Sequence, residues 1–361
     1  MTMTSINRQE SFSGTKPVPT ALAFDSAILR NWLAAKLGGD PGALTVAQFK
    51  GGQSNPTYRI ESAHGNFVLR RKPPGPLLAS AHAIDREFRV LEALSREGFP
   101  VARPIGYETD AALIGSEFYV MDCVEGRVIW EPWIPNSDPA ERAAIFDAMN
   151  GTLAQLHAFD PAAIGLGDFG RAEGYVARQI KRWSANYKAS ETQPIPDMDW
   201  LMGWLPDHVP PAPRAALVHG DYRLDNLILA PDAPRVAAVL DWELATLGDP
   251  LADAVYHFMT WVMPPSESNA GTGTLIGHDL AALGIPTLET YAQAYAQRAG
   301  LSDIPYFDEY MAYNLFRMAA ILQGIAGRVR DGTATSEHGA LMGTMVAPLA
   351  ATAMQFARRV T

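Results

Sequence analysis

The stretch His219-Gly-Asp-Tyr-Arg-Leu-Asp-Asn226 sets a carboxylate at Asp221 close to an amide carbonyl oxygen at Asn226. Oxygen donors of this kind suit a hard cation such as Mg²⁺, and a carboxylate fixed in a loop suits activation of a hydroxyl. Apolar runs flank the stretch, Ala215 to Val218 before it and Leu227 to Leu229 after it, so the pattern predicts a rigid loop between two short buried strands. A further apolar run, Val236 to Leu240, delivers Asp241 at its carboxyl end. A loop acid, an amide and a strand-terminal acid are a set suited to phosphoryl transfer.

The pattern His-x-Asp-x-x-x-x-Asn followed by a strand-terminal Asp resembles the catalytic and metal-binding loops of protein-kinase-like enzymes. The wording HGDYRLDN, then VLDWELATLGDPLAD, is similar more specifically to the aminoglycoside phosphotransferase family and its relatives that phosphorylate small molecules. Together with LRRKPPG and MDCVEGR, it resembles the phosphotransferase-like domains found fused to, or beside, acyl-CoA dehydrogenases. The resemblance implies an α+β, protein-kinase-like two-lobe fold, with a small antiparallel-sheet N-lobe and a larger, mainly helical C-lobe. It also implies a kinase that uses ATP and Mg²⁺ and has an alcohol group as acceptor. Residue by residue, Asp221 would accept or orient the acceptor hydroxyl proton, and Asn226 and Asp241 would hold Mg²⁺. Arg223 falls where protein kinases carry a lysine near the γ-phosphate, with positioning of the loop as its other role. His219 is expected to orient the loop, and Asp249 and Asp253 to support it or cap a helix.

The elements that must position this set lie upstream. Phe24 to Leu37 reads as an amphipathic helix with Asp25 as cap and Gly38-Gly39 as stop. Leu44 to Lys50, Thr57 to Glu61 and Phe67 to Arg71 read as three antiparallel strands, turning at His64-Gly65. The first connection, Gly51-Gly-Gln-Ser-Asn-Pro56, offers Ser54 and Asn55 beside two glycines, a loop whose N–H groups can approach phosphate although it lacks the full G-x-G-x-x-G spacing. By the resemblance, Arg70 stands where kinases place the lysine for the α and β phosphates, and Glu87, on a helix between Ala83 and Gly98, is its expected partner. Strand alternation sets Arg70 and Lys72 on one face and Arg71 on the other, so Lys72 is the reserve candidate. Phe118 to Met121 and the following Asp122-Cys-Val-Glu-Gly126 resemble an interlobe hinge. Asp122 and Val124 would there bind adenine through their main chain, and Met121 would line the site.

Composition bounds the rest. The chain has 361 residues, 48% of them hydrophobic, enough for a large packed core, and no internal repeat. A net charge of −10 argues against nucleic acid or an anionic membrane as partner and favours a small molecule. One cysteine, Cys123, allows no internal disulfide and points to a reducing cytoplasm; no zinc-ligand spacing occurs. No apolar run approaches membrane-spanning length. Residues 1–22 are expected to form a mobile polar tail, residues 23–124 the N-lobe ending in the hinge, and residues 125–361 the C-lobe. Helical periodicity marks Pro139 to Phe159, Ala172 to Tyr187, Leu251 to Val262, Thr287 to Arg298, Asp308 to Arg328 and Ala340 to Arg359.

For the acceptor, the resemblance to the acyl-CoA dehydrogenase-associated domains implies a hydroxyacyl compound, CoA-linked in one version. Trp183, Tyr187, Trp204, Trp261 and Met263 would line an apolar groove beside Arg178, Lys181 and Arg182. Aromatics at helical spacing are also the ordinary signature of core, and a basic helix face that of solvated surface. An aminoglycoside or amino-alcohol kinase and a nucleotide-binding pseudokinase are the alternative readings. The joint presence of Asp221, Asn226 and Asp241 disfavours the pseudokinase, and the lack of HExxH and GxSxG disfavours a hydrolase.

Overall fold

The computed structural model describes residues 8–51, 55–73, 83–212, 214–266, 273–332 and 337–360. A six-stranded antiparallel sheet occupies the N-terminal third: β1 (Thr15–Lys16), β2 (Thr45–Phe49), β3 (Thr57–Ser62), β4 (Gly65–Arg71), β5 (Pro104–Glu108) and β6 (Phe118–Asp122). Its spatial order is β1-β2-β3-β4-β6-β5, so the sequence-distant β6 pairs with β4 and brings Tyr119 opposite Arg70.

Alternation along β4 divides its side chains between two faces. Phe67 and Leu69 join the core beneath helix α2 (Ser26–Leu37), with Leu29, Trp32 and Leu33; the short α1 (Arg8–Phe12) precedes it. Arg71 lies on that outer face, over the rings of Phe24 and Tyr58, and donates to the carbonyl of Ile114. Val68 and Arg70 face the opposite way, into the interlobe cleft. Asp25 caps α2 by accepting from the Ala27 N–H at 2.8 Å, and Gly38, with φ 74°, ends it in the left-handed conformation, both as the sequence predicts. Helix α3 (Ile84–Arg96) covers the cleft side of the sheet, burying Ile84, Glu87, Val90, Leu91 and Leu94.

The C-lobe is helical: α4 (Pro139–Ala158), α5 (Tyr175–Ser190), α6 (Pro196–Trp204), α7 (Pro250–Phe258), α8 (Leu280–Leu283), α9 (Leu288–Arg298), α10 (Phe307–Arg330), α11 (Glu337–Thr344) and α12 (Val346–Val360). The long α10 packs against α5, α7 and α12 at its centre. The C-lobe also holds two small ribbons: β7 (Ala216–Val218) pairs with β10 (Thr246–Gly248), and β8 (Leu227–Leu229) with β9 (Val236–Val239), the second lining the cleft through Ile228 and Val239. The expected helix over Ala340 to Arg359 is two helices, and α6 and β5 are elements that periodicity does not announce.

The N-terminal tail also differs from expectation. Residues 8–22 are folded onto the molecule, with β1 paired to β2 and the Leu22 carbonyl accepting from Arg71. Gln9 donates to the Val128 carbonyl at 3.1 Å, the Trp130 indole N–H to Ser13 Oγ at 3.2 Å, and the rings of Phe12 and Trp130 lie 5.0 Å apart. Short polar stretches carry little periodic signal, and here the order comes from tertiary contact.

Candidate active site

Glu87 lies on the buried face of α3, where a carboxylate is tolerated only if paired. Its partner is Arg70, with Nε 2.7 Å from Glu87 Oε2. Tyr119 and Asn55 donate to the two oxygens of the same carboxylate, each at 3.0 Å. The second arm of Arg70 crosses the cleft to Asp241 at 2.9 Å and to Glu243 at 3.4 Å. Burial alone would pull the Arg70 pKa down, but the facing Glu87, with Asp241 and Glu243 beyond it, outweighs this and holds the guanidinium firmly charged. Lys72 stands apart, 2.8 Å from Glu117.

The HGDYRLDN stretch is a loop between two short strands, as predicted, and its interior is tied down residue by residue. His219, fully buried, accepts from the Asp221 N–H through Nδ1 at 3.2 Å; this fixes its tautomer, so Nε2–H donates to the Leu240 carbonyl at 2.8 Å. That side chain couples the loop to the strand end carrying Asp241. Gly220 adopts φ 83°, and a Cβ there would meet the Leu244 carbonyl at 2.9 Å, so both conformation and space require glycine. The buried Asp253 accepts from the N–H groups of His219 and Gly220, each at 2.8 Å, and its ring partner is His157 at 3.1 Å. Asp249 caps α7 through the Leu251 N–H at 2.9 Å and takes the Tyr310 hydroxyl at 2.5 Å. Support and capping are thus what the two acids of LGDPLAD do in the fold.

Asp221 has both carboxylate oxygens engaged. Oδ1 takes the Tyr256 hydroxyl at 2.5 Å and lies 2.9 Å from Arg223 Nε; Oδ2 accepts from Asn226 Nδ2 at 3.1 Å. Arg223 also reaches Asp225 at 3.3 Å, so of its two expected roles the geometry favours holding the loop. Tyr256 is a contact that the sequence does not single out, because in Asp-Ala-Val-Tyr-His-Phe258 it reads as one more core aromatic.

Asp241 departs from ordinary backbone, with φ 62° for a residue that is not glycine. Such strain persists only where the surroundings impose it, and functional sites are where it concentrates. Asn226 donates through Nδ2 to the Asp221 carbonyl at 2.9 Å as well as to its carboxylate, which commits the amide nitrogen and turns Oδ1 away from both acceptors. Asn226 and Asp241 therefore offer one amide oxygen and one carboxylate, a hard donor set that fits a Mg²⁺ completed by phosphate oxygens and water. Among the described residues no cluster of three or more His, Cys, Asp and Glu side chains forms an all-protein metal cage.

Arg70, Glu87, Asn226 and Asp241 line a cavity of about 770 Å³ between the lobes, and Asp221 is joined to it through Asn226. Val68, Met121, Val124, Ile228 and Val239 supply apolar walls, and Gln9, Phe12, Ser13 and Trp130 line it as well. Of the Asp122 main-chain groups, the N–H is taken by the Arg103 carbonyl at 2.9 Å, and the side-chain carboxylate is paired with the Arg103 guanidinium. Asn55 differs from expectation, its amide being turned inward to Glu87; Ser54 lies outside the described residues. Burial pushes the Cys123 thiol pKa up, in keeping with a hinge hydrophobe.

The expected aromatic groove is not formed. Tyr187 is fully buried, Trp204 is stacked between Trp200 and His208, and Trp261 packs on Phe146 and donates to the Pro286 carbonyl. Only Met263 of the set lines a separate cavity of about 210 Å³, with Trp133, Met318 and Met345. Lys181 and Arg182 are exposed on α5, and Arg178 donates back to the Arg171 carbonyl.

The model of the family described as "Phosphotransferase enzyme family" (APH) matches residues 45–313. The chain is 42% identical over 349 residues to acyl-CoA dehydrogenase family member 10 of Mus musculus, covering 96% of this chain and 32% of the relative. It spans about a third to just under half the length of the curated relatives it matches. Among solved structures, a Ralstonia eutropha protein provisionally described as an aminoglycoside phosphotransferase shares 45% identity at a TM-score of 0.85, covering 93% of this chain and 99% of that one. A spectinomycin phosphotransferase, solved with ADP and spectinomycin, shares the fold at a TM-score of 0.59 and 12% identity, covering 91% and 98%.

Proposed function

The chain belongs to the phosphotransferase enzyme family, as a kinase-like enzyme acting on a hydroxyl of a small molecule, and from that membership we propose that it transfers the γ-phosphoryl group of ATP, with Mg²⁺, to a hydroxyacyl compound or hydroxyacyl-CoA. The observation that carries the nucleotide part is the convergence of Asn226 and Asp241 with the Arg70–Glu87 pair around one interlobe cavity, with Asp221 bonded to Asn226 beside it. The acyl part rests on the curated relatives, which bear the name of acyl-CoA dehydrogenase family members.

In this reading Arg70, steadied by Glu87, leaves Asp241 to grip the α and β phosphates. Asn226 and Asp241 hold the cation, which when bound neutralises charge on the phosphate oxygens. Asp221 orients the acceptor hydroxyl in line with the γ-phosphorus and takes its proton. The acceptor oxygen then bonds to phosphorus as the bond to the β–γ bridging oxygen breaks, and ADP leaves. Arg223 and His219 keep the loop in place.

Two measurements test this. A thermal-shift comparison of ATP with and without Mg²⁺ should show stabilisation that depends on the cation; its absence overturns the nucleotide assignment. Coupled assays with hydroxyacyl-CoAs, free hydroxy acids and kanamycin-like amines should favour the acyl compounds. Preferential turnover of the amines at neutral pH would replace the acyl reading with the aminoglycoside one.

A further inference from the structure

We propose that Tyr256 is a positioning residue for phosphoryl transfer, locking the Asp221 carboxylate through its hydroxyl so that Oδ2 is the oxygen presented to the acceptor. This rests on the reading of Asp221 given above.

Helix α7 carries the argument. Residues three apart on a helix share a face, and α7 turns Asp253 and Tyr256 together toward the HGDYRLDN loop. Asp253 accepts from the loop's N–H groups at His219 and Gly220, while Tyr256 donates to the side chain of the next residue, Asp221, at 2.5 Å. One rigid element thus fixes both the backbone of the loop and the direction of its acid. Tyr256 is itself clamped. It is 4% exposed, and the guanidinium of Arg317, from α10, lies 4.9 Å from its ring centre while donating to the Gly220 carbonyl at 2.7 Å. Burial, and then the adjoining Asp221 carboxylate, hold the phenol far above its ordinary pKa, so the oxygen acts as a donor and not as a competing base.

The consequence is an asymmetry between the two oxygens of Asp221. Oδ1 faces Tyr256 and Arg223, whereas Oδ2 has the single, longer bond from Asn226 at 3.1 Å. A carboxylate can take about four hydrogen bonds. Oδ2 therefore keeps a direction for an incoming hydroxyl, and without the Tyr256 O–H nothing on α7 would stop the carboxylate from rotating about its Cβ–Cγ bond.

The test is Tyr256→Phe, which keeps the ring and its packing and removes only the donor. Its readouts are the melting temperature, ADP affinity and single-turnover phosphate release from Mg·ATP with enzyme in excess, all repeated in an Asp221→Asn background. The expected result is a rate lower by about 10- to 100-fold, with ADP affinity unchanged and no further loss when the change is added to Asp221→Asn. A rate above half that of the unaltered chain overturns the proposal, as does an equal loss in both backgrounds, which would mark Tyr256 as packing only. If the unaltered chain turns over no Mg·ATP with water or with any alcohol, the reading of the site beneath the proposal fails instead.

Discussion

Arg70 and Asp241 are separated by 171 residues in the chain and meet at 2.9 Å across the cleft, closing the contact between the sheet of one lobe and a ribbon of the other. Because Arg70 is shared between Glu87 and Asp241, it satisfies a buried carboxylate and a cleft-facing one with a single charge. Arg70→Ala should leave Glu87 buried without its cation, a change that costs about 3–5 kcal/mol for a buried pair. Stability and ATP binding should then fall together, measured by denaturant unfolding and calorimetry. Arg70→Lys should keep part of both. Lys72→Ala should leave ATP affinity within about twofold, since its partner is Glu117; a larger loss than that of Arg70→Ala would reassign the phosphate contact.

Asp221→Asn preserves shape and removes the proton acceptor. Phosphoryl transfer should fall by about 100- to 10,000-fold while ATP affinity changes little, because in the proposed reading the carboxylate acts on the acceptor hydroxyl and not on the nucleotide. Parallel titration of ATP and assay of turnover in the variant would check this; retained turnover would remove Asp221 from the proton-acceptor role.

Gly126, where the hinge enters the C-lobe, has no room for a side chain: a Cβ would lie 2.2 Å from the Leu229 carbonyl oxygen and 2.5 Å from Ile228. Gly126→Ala should therefore destabilise the fold by about 1–3 kcal/mol and loosen the bridge in which the Arg127 N–H donates to Leu229. Gly203→Ala, in α6 with nothing near its Cβ, should instead stabilise it by about 0.5–1 kcal/mol. Melting temperatures moving in the same direction for both would contradict this.

His257 supplies a pH dependence. Burial pulls its pKa from 6.5 to about 4, and Nε2 is bonded to the Tyr291 hydroxyl at 2.8 Å. Between these two pH values the unfolded chain binds a proton that the folded ring refuses. The stability due to this ring is thus fully present above pH 6.5 and is lost as the pH falls toward 4, by up to about 3 kcal/mol. Unfolding free energies at pH 7 and pH 5 should differ less in His257→Asn than in the unaltered chain; an identical difference would refute the assignment.

The residues legible in the sequence were those whose order along the chain carries meaning. Arg70, Glu87, Asp221, Asn226 and Asp241 each follow a recognisable local pattern, and the fold brings Arg70, Glu87, Asn226 and Asp241 to one cavity with Asp221 bonded to Asn226 beside it. Asp25 and Gly38 were legible as helix boundaries because capping is a local matter. What escaped depends on partners far away in sequence. Strand β5 begins with Pro104 and contains Gly106, a weak strand signal rescued by pairing with β6. Tyr256 lies in a run in which every residue is buried, so nothing local separates a donor to Asp221 from a core ring. The inward turn of Asn55 likewise depends on Glu87, 32 residues on.

The docking of Gln9, Phe12 and Ser13 against Val128 and Trp130 carries a practical consequence for handling the protein. A purification tag or fusion partner joined directly to residue 8 would start beside the wall of the interlobe cavity, whereas an addition after α12 emerges from a helix that packs on α6, α10 and α11. Attachment at the carboxyl end is the choice that leaves the cavity wall as the fold makes it.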